Sequence, residues 1–297
     1  MRYRTAAAFR QALEARLSNL TQQSSGRLSQ VRLRKAVVFD RLLARLQQVA
    51  PDAWTLKGGL ALDYRLGANA RMTRDMDLAF REDVDAATSA FIAAQSLALG
   101  DHFTFAIRRT DQLANLEGAA VRFHAQAALA GRLFDEVKID ISFSDPLGWP
   151  PERLATPDLL EFAEITPIII PILPLEQHIA EKVHAYTRGY GEQGIAPSSR
   201  VKDLIDLVLI LRHTAPQAGP LRTALLGIFQ GRGTHELPTA FPVPPREWAI
   251  GYQQLARDVE LDTDLADGYR RVARFLSPIL DDSAEAERRW DAQRASW

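Results

Sequence analysis

The chain has 297 residues, 46% hydrophobic and 25% charged, with a formal net charge of −1. Such a composition belongs to a globular protein of one large or two ordinary domains, and no global basic field advertises a nucleic-acid partner. Cysteine is absent, which excludes disulfides, zinc–thiolate sites and thiol catalysis.

No apolar run reaches the roughly 18–20 residues that span a bilayer, and no signal-peptide pattern opens the chain, so a cytoplasmic protein with no membrane contact is expected. Residues 5–20 place Phe9, Leu13, Leu17 and Leu20 at helical spacing. Residues 27–49 repeat the pattern with Val31, Val38, Leu42, Leu46 and Val49. Residues 1–50 therefore read as a pair of N-terminal helices. Their polar sides carry Arg10, Arg16, Arg27, Arg32, Arg34, Arg41 and Arg45, either a solvated face or a surface for phosphate.

A short strand over 53–57 leads into Gly58-Gly59, where the missing Cβ atoms permit a sharp turn and close approach to a ligand. Leu60 to Leu66 suit a short helix stopped by Gly67. A second strand, 73–80, follows. Residues two apart on a strand share a side. Asp75 and Asp77 thus project together while Met76 and Leu78 face the core. Two parallel carboxylates are costly without a positive charge between them, and a divalent cation commonly supplies it.

Residues 83–99 read as an alanine-rich helix and 103–109 as a strand. Strands 121–128 and 133–143 are joined by a hairpin signal at Ala130-Gly131-Arg132. On the second of these, Val137, Ile139, Ile141 and Phe143 share one face, and Lys138, Asp140 and Ser142 the other. Asp140 is either an outward-facing charge or a third carboxylate beside Asp75 and Asp77. The proline-rich stretch 145–174 reads as the crossing between a core of residues 51–173 and a helical domain of residues 174–297, with at best a short edge strand over 166–173.

Helices are expected over 175–186, 200–213, 221–229, 248–259 and 265–276. A Gly/Ser-rich loop lies at 189–199, a proline-rich loop at 238–245 and a charged tail at 281–297 that reads as a frayed helix. Asp203 and Asp206 are neighbours on one helix face. Asp206 can pair with Lys202 four residues back, and Asp203 with Arg200 as a surface pair. His178 and His184, six apart, are poorly spaced for joint metal ligation and read as ordinary helix histidines.

A Gly-Gly turn can cradle a triphosphate through backbone N–H groups, and two or three aspartates can hold Mg²⁺ across its phosphates. A lysine on a later helix can neutralise developing phosphate charge. The order is Gly-Gly, then Asp-x-Asp sixteen residues beyond the second glycine, then a strand with a central Asp. Each part is weak alone; together they describe nucleotidyl transfer.

The stretch KGGLALDYRLG…RMTRDMDLAF closely resembles the opening motif of the AbiEii/AbiGii toxin family of nucleotidyltransferases, and AEKVHAY…SSRVKDLIDLVLI its second signature. The resemblance covers roughly residues 30–215. It implies an α+β fold, a nucleotidyltransferase-type mixed sheet flanked by helices with a helical C-terminal half. It also implies an NTP co-substrate, Mg²⁺ and a cognate antitoxin, and, as in the mycobacterial MenT relatives, an RNA acceptor at the tRNA 3′ end. Carried over by residue, Gly58 and Gly59 match the glycine turn, although Gly59 stands where the family often has serine. Lys57 precedes the turn, and Arg71 and Arg74 fall on the approach to the metal site. Asp75 and Asp77 match the metal pair, with Asp140 a weaker third ligand or base. Lys182 matches the triphosphate lysine, and Asp203 the acid of the last motif, with Arg200, Lys202 and Asp206 alongside. Two other readings use the same residues: a small-molecule nucleotidyltransferase resembling the aminoglycoside-modifying enzymes, and a non-catalytic scaffold that binds an antitoxin.

Overall fold

A computed structural model describes residues 1–24, 27–110, 121–143, 150–189 and 200–297. Most of the predicted loop 189–199, and Pro146 of the proline-rich stretch, lie outside the described residues. The chain divides into two compact units, one of residues 1–68 and 72–173, the other of residues 69–71 and 174–297.

In the first unit, α1 (Ala6–Gln23) and α2 (Gln30–Val49) precede β1 (Trp54–Lys57), α3 (Gly58–Leu66), β2 (Asp75–Phe80) and α4 (Val84–Ser96). Then come β3 (Phe103–Thr110), β4 (Val121–Leu129), β5 (Arg132–Ser142), β6 (Glu152–Ala155) and β7 (Ile169–Ile172). Among the described residues these strands form one mixed sheet in the order β3-β4-β5-β2-β1-β7-β6. β2 runs antiparallel to β1 and parallel to β5, which forms an antiparallel meander with β4 and β3.

Period-two alternation decides which face is which. Leu56, Met76, Leu78, Phe123, Ala125, Ile139 and Ile141 turn inward and are buried beside Phe9, Leu13, Val38 and Leu42 of the N-terminal helices. The α1 stripe follows the predicted spacing, with Phe9, Leu13 and Leu17 fully buried. Val31, expected in the α2 stripe, is 56% exposed. The β4–β5 hairpin turns at Ala130-Gly131, both at positive φ, as a two-residue turn between right-twisted strands requires.

Of the N-terminal arginines, Arg16 and Arg27 are exposed, whereas Arg10, Arg32, Arg34, Arg41 and Arg45 are tied into the unit. Arg45 is 1% exposed; it donates to both carboxylate oxygens of Asp101 at 2.8 Å and to the Phe103 carbonyl at 2.9 Å. Arg41 pairs with Asp40 and approaches Asp101, while Arg32 binds Asp63 and the Gly67 carbonyl. Arg10 donates to the carbonyls of Leu129, Arg132 and Leu133. These guanidiniums fasten helices to sheet and loops, each with a buried or backbone acceptor that lowers the cost of its desolvation.

The segment expected at best as an edge strand is interior. β7 lies between β1 and β6, with β6 at the edge. Pro171 does not prevent this. The short parallel contact centres on Leu56 and Ile172, and Leu173, beyond the proline, donates its N–H to the Leu56 carbonyl at 2.8 Å.

The second unit holds α5 (Leu175–Thr187), α6 (Val201–His213), α7 (Ala218–Arg232), α8 (Trp248–Asp258) and α9 (Leu265–Leu280). Pro174 stands immediately before α5, where its missing N–H costs nothing. α6 is the central helix, with nine consecutive buried residues from Asp203 to Leu211. The tail is not a frayed helix. Trp290 is buried against Phe275 and donates its indole N–H to the Leu211 carbonyl at 2.9 Å. Trp297 stacks on Phe275 at 4.8 Å between ring centroids. Aromatic burial outweighs the helical propensity of the charged segment between them.

Candidate active site

The site begins where β1 passes straight into α3. Gly58 has φ +64°, a left-handed conformation that L residues adopt at a cost. A Cβ built there would lie 1.9 Å from Asp77 Oδ2. Glycine is therefore required twice over: for the backbone, and for the space the Asp77 carboxylate occupies. Lys57 is the N-cap of α3 and makes no side-chain capping bond, and the first turn carries no acidic residue. The positive end of a nine-residue helix, opening on Gly58-Gly59, thus lies beside the Asp77 carboxylate.

Strand register extends the site sideways. Lys57 stands opposite Asp77, Asp77 beside Asp140, and Asp140 opposite Arg122, so four strands contribute one polar row. Asp75, two residues from Asp77, shares its face and stands beside Lys138. Both aspartates are half-buried, while Met76 and Leu78 between and beyond them are fully buried. The predicted parity is what the strand shows.

Arg122 was missed by sequence reasoning. Its Nε and Nη2 donate to the two oxygens of Asp140 at 2.6 and 2.7 Å. That hydrogen bonding raises the Arg122 pKa above its ordinary value, outweighing burial, with further help from the charges of Asp140, Asp75 and Asp77. Asp140, expected as a weaker third cation ligand or a base, accepts both of these bonds and stands beside Asp77. Among the described residues no group of three or more His, Asp or Glu side chains is placed to hold a metal ion. A pair of carboxylates suffices for Mg²⁺ chemistry, because that ion keeps several waters and takes one or two carboxylates plus substrate phosphates. Asp75 and Asp77, hard oxygen donors on one face, fit it.

Of the expected phosphate contacts, Arg74 is exposed beside Asp75. Arg71 donates through Nε and Nη2 to both oxygens of Asp206 at 2.8 and 3.0 Å. Asp206 also accepts from Lys182 at 2.7 Å, and Lys182 reaches Asp203 at 3.3 Å, which is bonded in turn to Arg200. The i,i+4 pair with Lys202 is not made, since both Asp206 oxygens are committed to Arg71 and Lys182, and Lys202 is exposed. Asp203 is no surface pair either; it is 1% exposed. Burial acts to raise the Asp206 pKa, but Lys182 and Arg71 outweigh it and hold the carboxyl below its ordinary value. Burial likewise acts to lower Lys182, and Asp206 and Asp203 outweigh it, so its pKa is raised. Lys182, Asp203 and Asp206 of the second signature are thus buried in a charge cluster inside the helical unit, flanked by the half-buried Arg71 and Arg200.

His178 and His184 are both buried. His184 meets the Thr234 hydroxyl at 2.8 Å, and its pKa is depressed to about 3, first by burial and then by Arg232, His235 and Arg188.

A mixed sheet with a glycine-opened helix and an Asp-x-Asp strand, joined to a helical unit, defines the class: a nucleotidyltransferase fold. The fold is shared by the MenT4 nucleotidyltransferase toxin of Mycobacterium tuberculosis, which is 18% identical over 84% of this chain and 92% of its own, with a TM-score of 0.51. Two Helicobacter pylori structures also match. One is named as a candidate nucleotidyltransferase (16% identity, 84% and 98% of the two chains, TM-score 0.44) and the other as JHP933 (17%, 84% and 94%, 0.45). No curated protein matches the sequence. Residues 41–294 match the family described as nucleotidyl transferase AbiEii toxin, type IV toxin–antitoxin system. The chain belongs to this AbiEii family and is a nucleotidyltransferase. Membership implies an NTP substrate and an antitoxin partner. Among the described residues no helix is long and apolar enough to cross a membrane.

Proposed function

We propose that the enzyme is a cytoplasmic, Mg²⁺-dependent toxin that transfers a nucleotide from an NTP to the 3′ hydroxyl of an RNA, with the 3′ end of tRNA as acceptor. One observation carries this reading. The Asp77 carboxylate rests against the glycine that opens α3, so two acidic side chains and an uncapped helix N-terminus share one corner of the sheet. Carboxylates suit a cation, and helix N–H groups suit phosphate. A metal–triphosphate complex needs both.

In this reading Asp75 and Asp77 hold the Mg²⁺, which, when bound, neutralises phosphate charge and stabilises the leaving group. Gly58 and Gly59 offer backbone N–H groups to the phosphates, and Lys57 adds a positive charge. The acceptor oxygen attacks the α-phosphorus, forming a new P–O bond as the bond to the β-bridging oxygen breaks and pyrophosphate departs. The acceptor's proton passes to Asp140, whose carboxylate Arg122 holds in a fixed orientation through two hydrogen bonds. The cluster of Arg71, Lys182, Arg200, Asp203 and Asp206 orders the helical unit. The direct phosphate contact expected of Lys182 gives way here to positioning, since its ammonium is already bonded to two buried carboxylates.

Incubation with each α-labelled NTP, Mg²⁺ and total RNA, followed by gel separation, tests the proposal. Labelled RNA of tRNA size is expected from the wild type and none from Asp75→Ala or Asp77→Ala. Equal labelling by the variants would overturn the assignment. Label on a small molecule and not on RNA would favour the antibiotic-type reading instead.

A further inference from the structure

The sheet face that carries Asp75 and Asp77 continues past them. Lys138 stands beside Asp75, His124 opposite Lys138, and Arg108 opposite His124, so one row crosses β2, β5, β4 and β3. Lys138 and Arg108 are exposed and His124 half-buried. Their strand neighbours Phe105, Phe123, Ala125, Val137 and Ile139 fill the opposite, buried face. Parity therefore fixes the row on the open side.

Two features separate this row from an ordinary charged surface. First, charge is sorted along it. Its one carboxylate, Asp75, lies on β2, and the basic side chains lie on β5, β4 and β3. The neighbouring row is neutralised internally, because Arg122 is spent on Asp140. Among the described residues, Lys138, His124 and Arg108 have no ion-pair or side-chain hydrogen-bond partner. Second, protection of a sheet edge does not account for them. Charged residues often blunt edge strands, and Arg108 on β3 could serve that end. Lys138 and His124, however, sit on the interior strands β5 and β4, where no edge needs blunting.

We propose that Lys138, His124 and Arg108 form the docking track for a single-stranded RNA 3′ end, leading its terminal hydroxyl to Asp75 and Asp77. The inference rests on the transferase reading above and adds to it the acceptor's path. Adjacent strands lie about 4.8 Å apart, so three spacings from β2 to β3 give a track of about 14 Å, suited to a short terminal stretch of single strand. Lys138 and Arg108 neutralise phosphates. The His124 ring between them offers a stacking surface for a base, the usual means by which unpaired RNA is held.

Binding of a 3′-terminal oligoribonucleotide, measured by fluorescence anisotropy across a KCl series, tests the track. Binding of fluorescent NTP and thermal melting are measured on the same samples. Arg108→Ala and Lys138→Ala should each weaken RNA binding and lower the slope of log K against log salt by about 0.7, the contribution of one neutralised phosphate on a single strand. His124→Ala should weaken binding roughly 5- to 150-fold with the slope unchanged, as the loss of one stacked base does. NTP binding and melting temperature should stay at wild-type values throughout. Wild-type RNA affinity and slope in the double variant Arg108→Glu/Lys138→Glu, with RNA labelling intact, would overturn the track and leave the transferase standing. A wild-type enzyme that binds NTP but neither binds nor labels RNA would overturn both.

Discussion

Gly58→Ala and Gly67→Ala form a matched pair of perturbations. Both glycines adopt positive φ, +64° and +59°, so an alanine at either position is held in a sparsely populated backbone region at a cost of about 1–3 kcal/mol. They differ in surroundings. A Cβ at Gly67 meets nothing within 4 Å, whereas a Cβ at Gly58 lies 1.9 Å from Asp77 Oδ2, 2.6 Å from its Cγ and 2.8 Å from its Cβ. The last of these atoms is tied to the β2 backbone and cannot swing away as a flexible side-chain end can. Gly67→Ala should therefore lower the melting temperature by the backbone cost alone, about 2–12 °C at 2–4 °C per kcal/mol, and leave transfer within about twofold of wild type. Gly58→Ala should cost more stability and, by displacing a carboxylate that holds the cation, cut transfer at least about a hundredfold, the upper end of what loss of supporting interactions around a metal does. The assay is label transfer from α-labelled NTP to RNA at matched concentrations of folded protein. Equal transfer by the two variants would refute the claim that Gly58 exists to seat Asp77.

Lys182→Met should destabilise the protein by about 3–5 kcal/mol in denaturant titration, because it strands the buried carboxylates of Asp203 and Asp206; a change below about 1 kcal/mol would contradict the buried cluster. Trp290→Ala should cost about 3–5 kcal/mol by emptying its place against Phe275, while a negligible change would mean that the tail is not pinned. His184, with its pKa depressed to about 3 against about 6.5 when unfolded, is neutral in the folded protein. Its contribution to stability is fully present above pH 6.5 and is lost as pH falls towards 3. The wild-type melting temperature should drop between pH 7 and 5 more steeply than that of His184→Gln, and identical pH profiles would sink this reading.

Local periodicity carried most of the first unit's legibility. Asp75 and Asp77 could be placed on one face from parity alone, and Phe9, Leu13 and Leu17 from a spacing of four. The features that were not legible depend on partners distant in sequence. Arg45 looks like any helix-face charge until Asp101, 56 residues on, is brought beside it. Arg122 is the sharper case. Counting back from the Ala130-Gly131 turn sets Arg122 opposite Ile139, on the wrong face. A bulge between Ala127 and Ala128 shifts the register by one and brings it to Asp140. A one-residue slip exchanges the two faces of a strand, and nothing in the local pattern announces the bulge. For Asp206 the sequence likewise offers Lys202, four residues back, whereas its partners are Arg71 and Lys182.

Central to the account is a divalent cation shared by two side chains and a nucleotide. Water-proton relaxation of Mn²⁺, titrated with protein in the presence and absence of NTP, reads that ternary arrangement without requiring turnover or knowledge of the acceptor. Strong enhancement is predicted for the wild type with NTP, and loss of it in both Asp75→Asn and Asp77→Asn. Enhancement that persists undiminished in either variant would contradict the shared site.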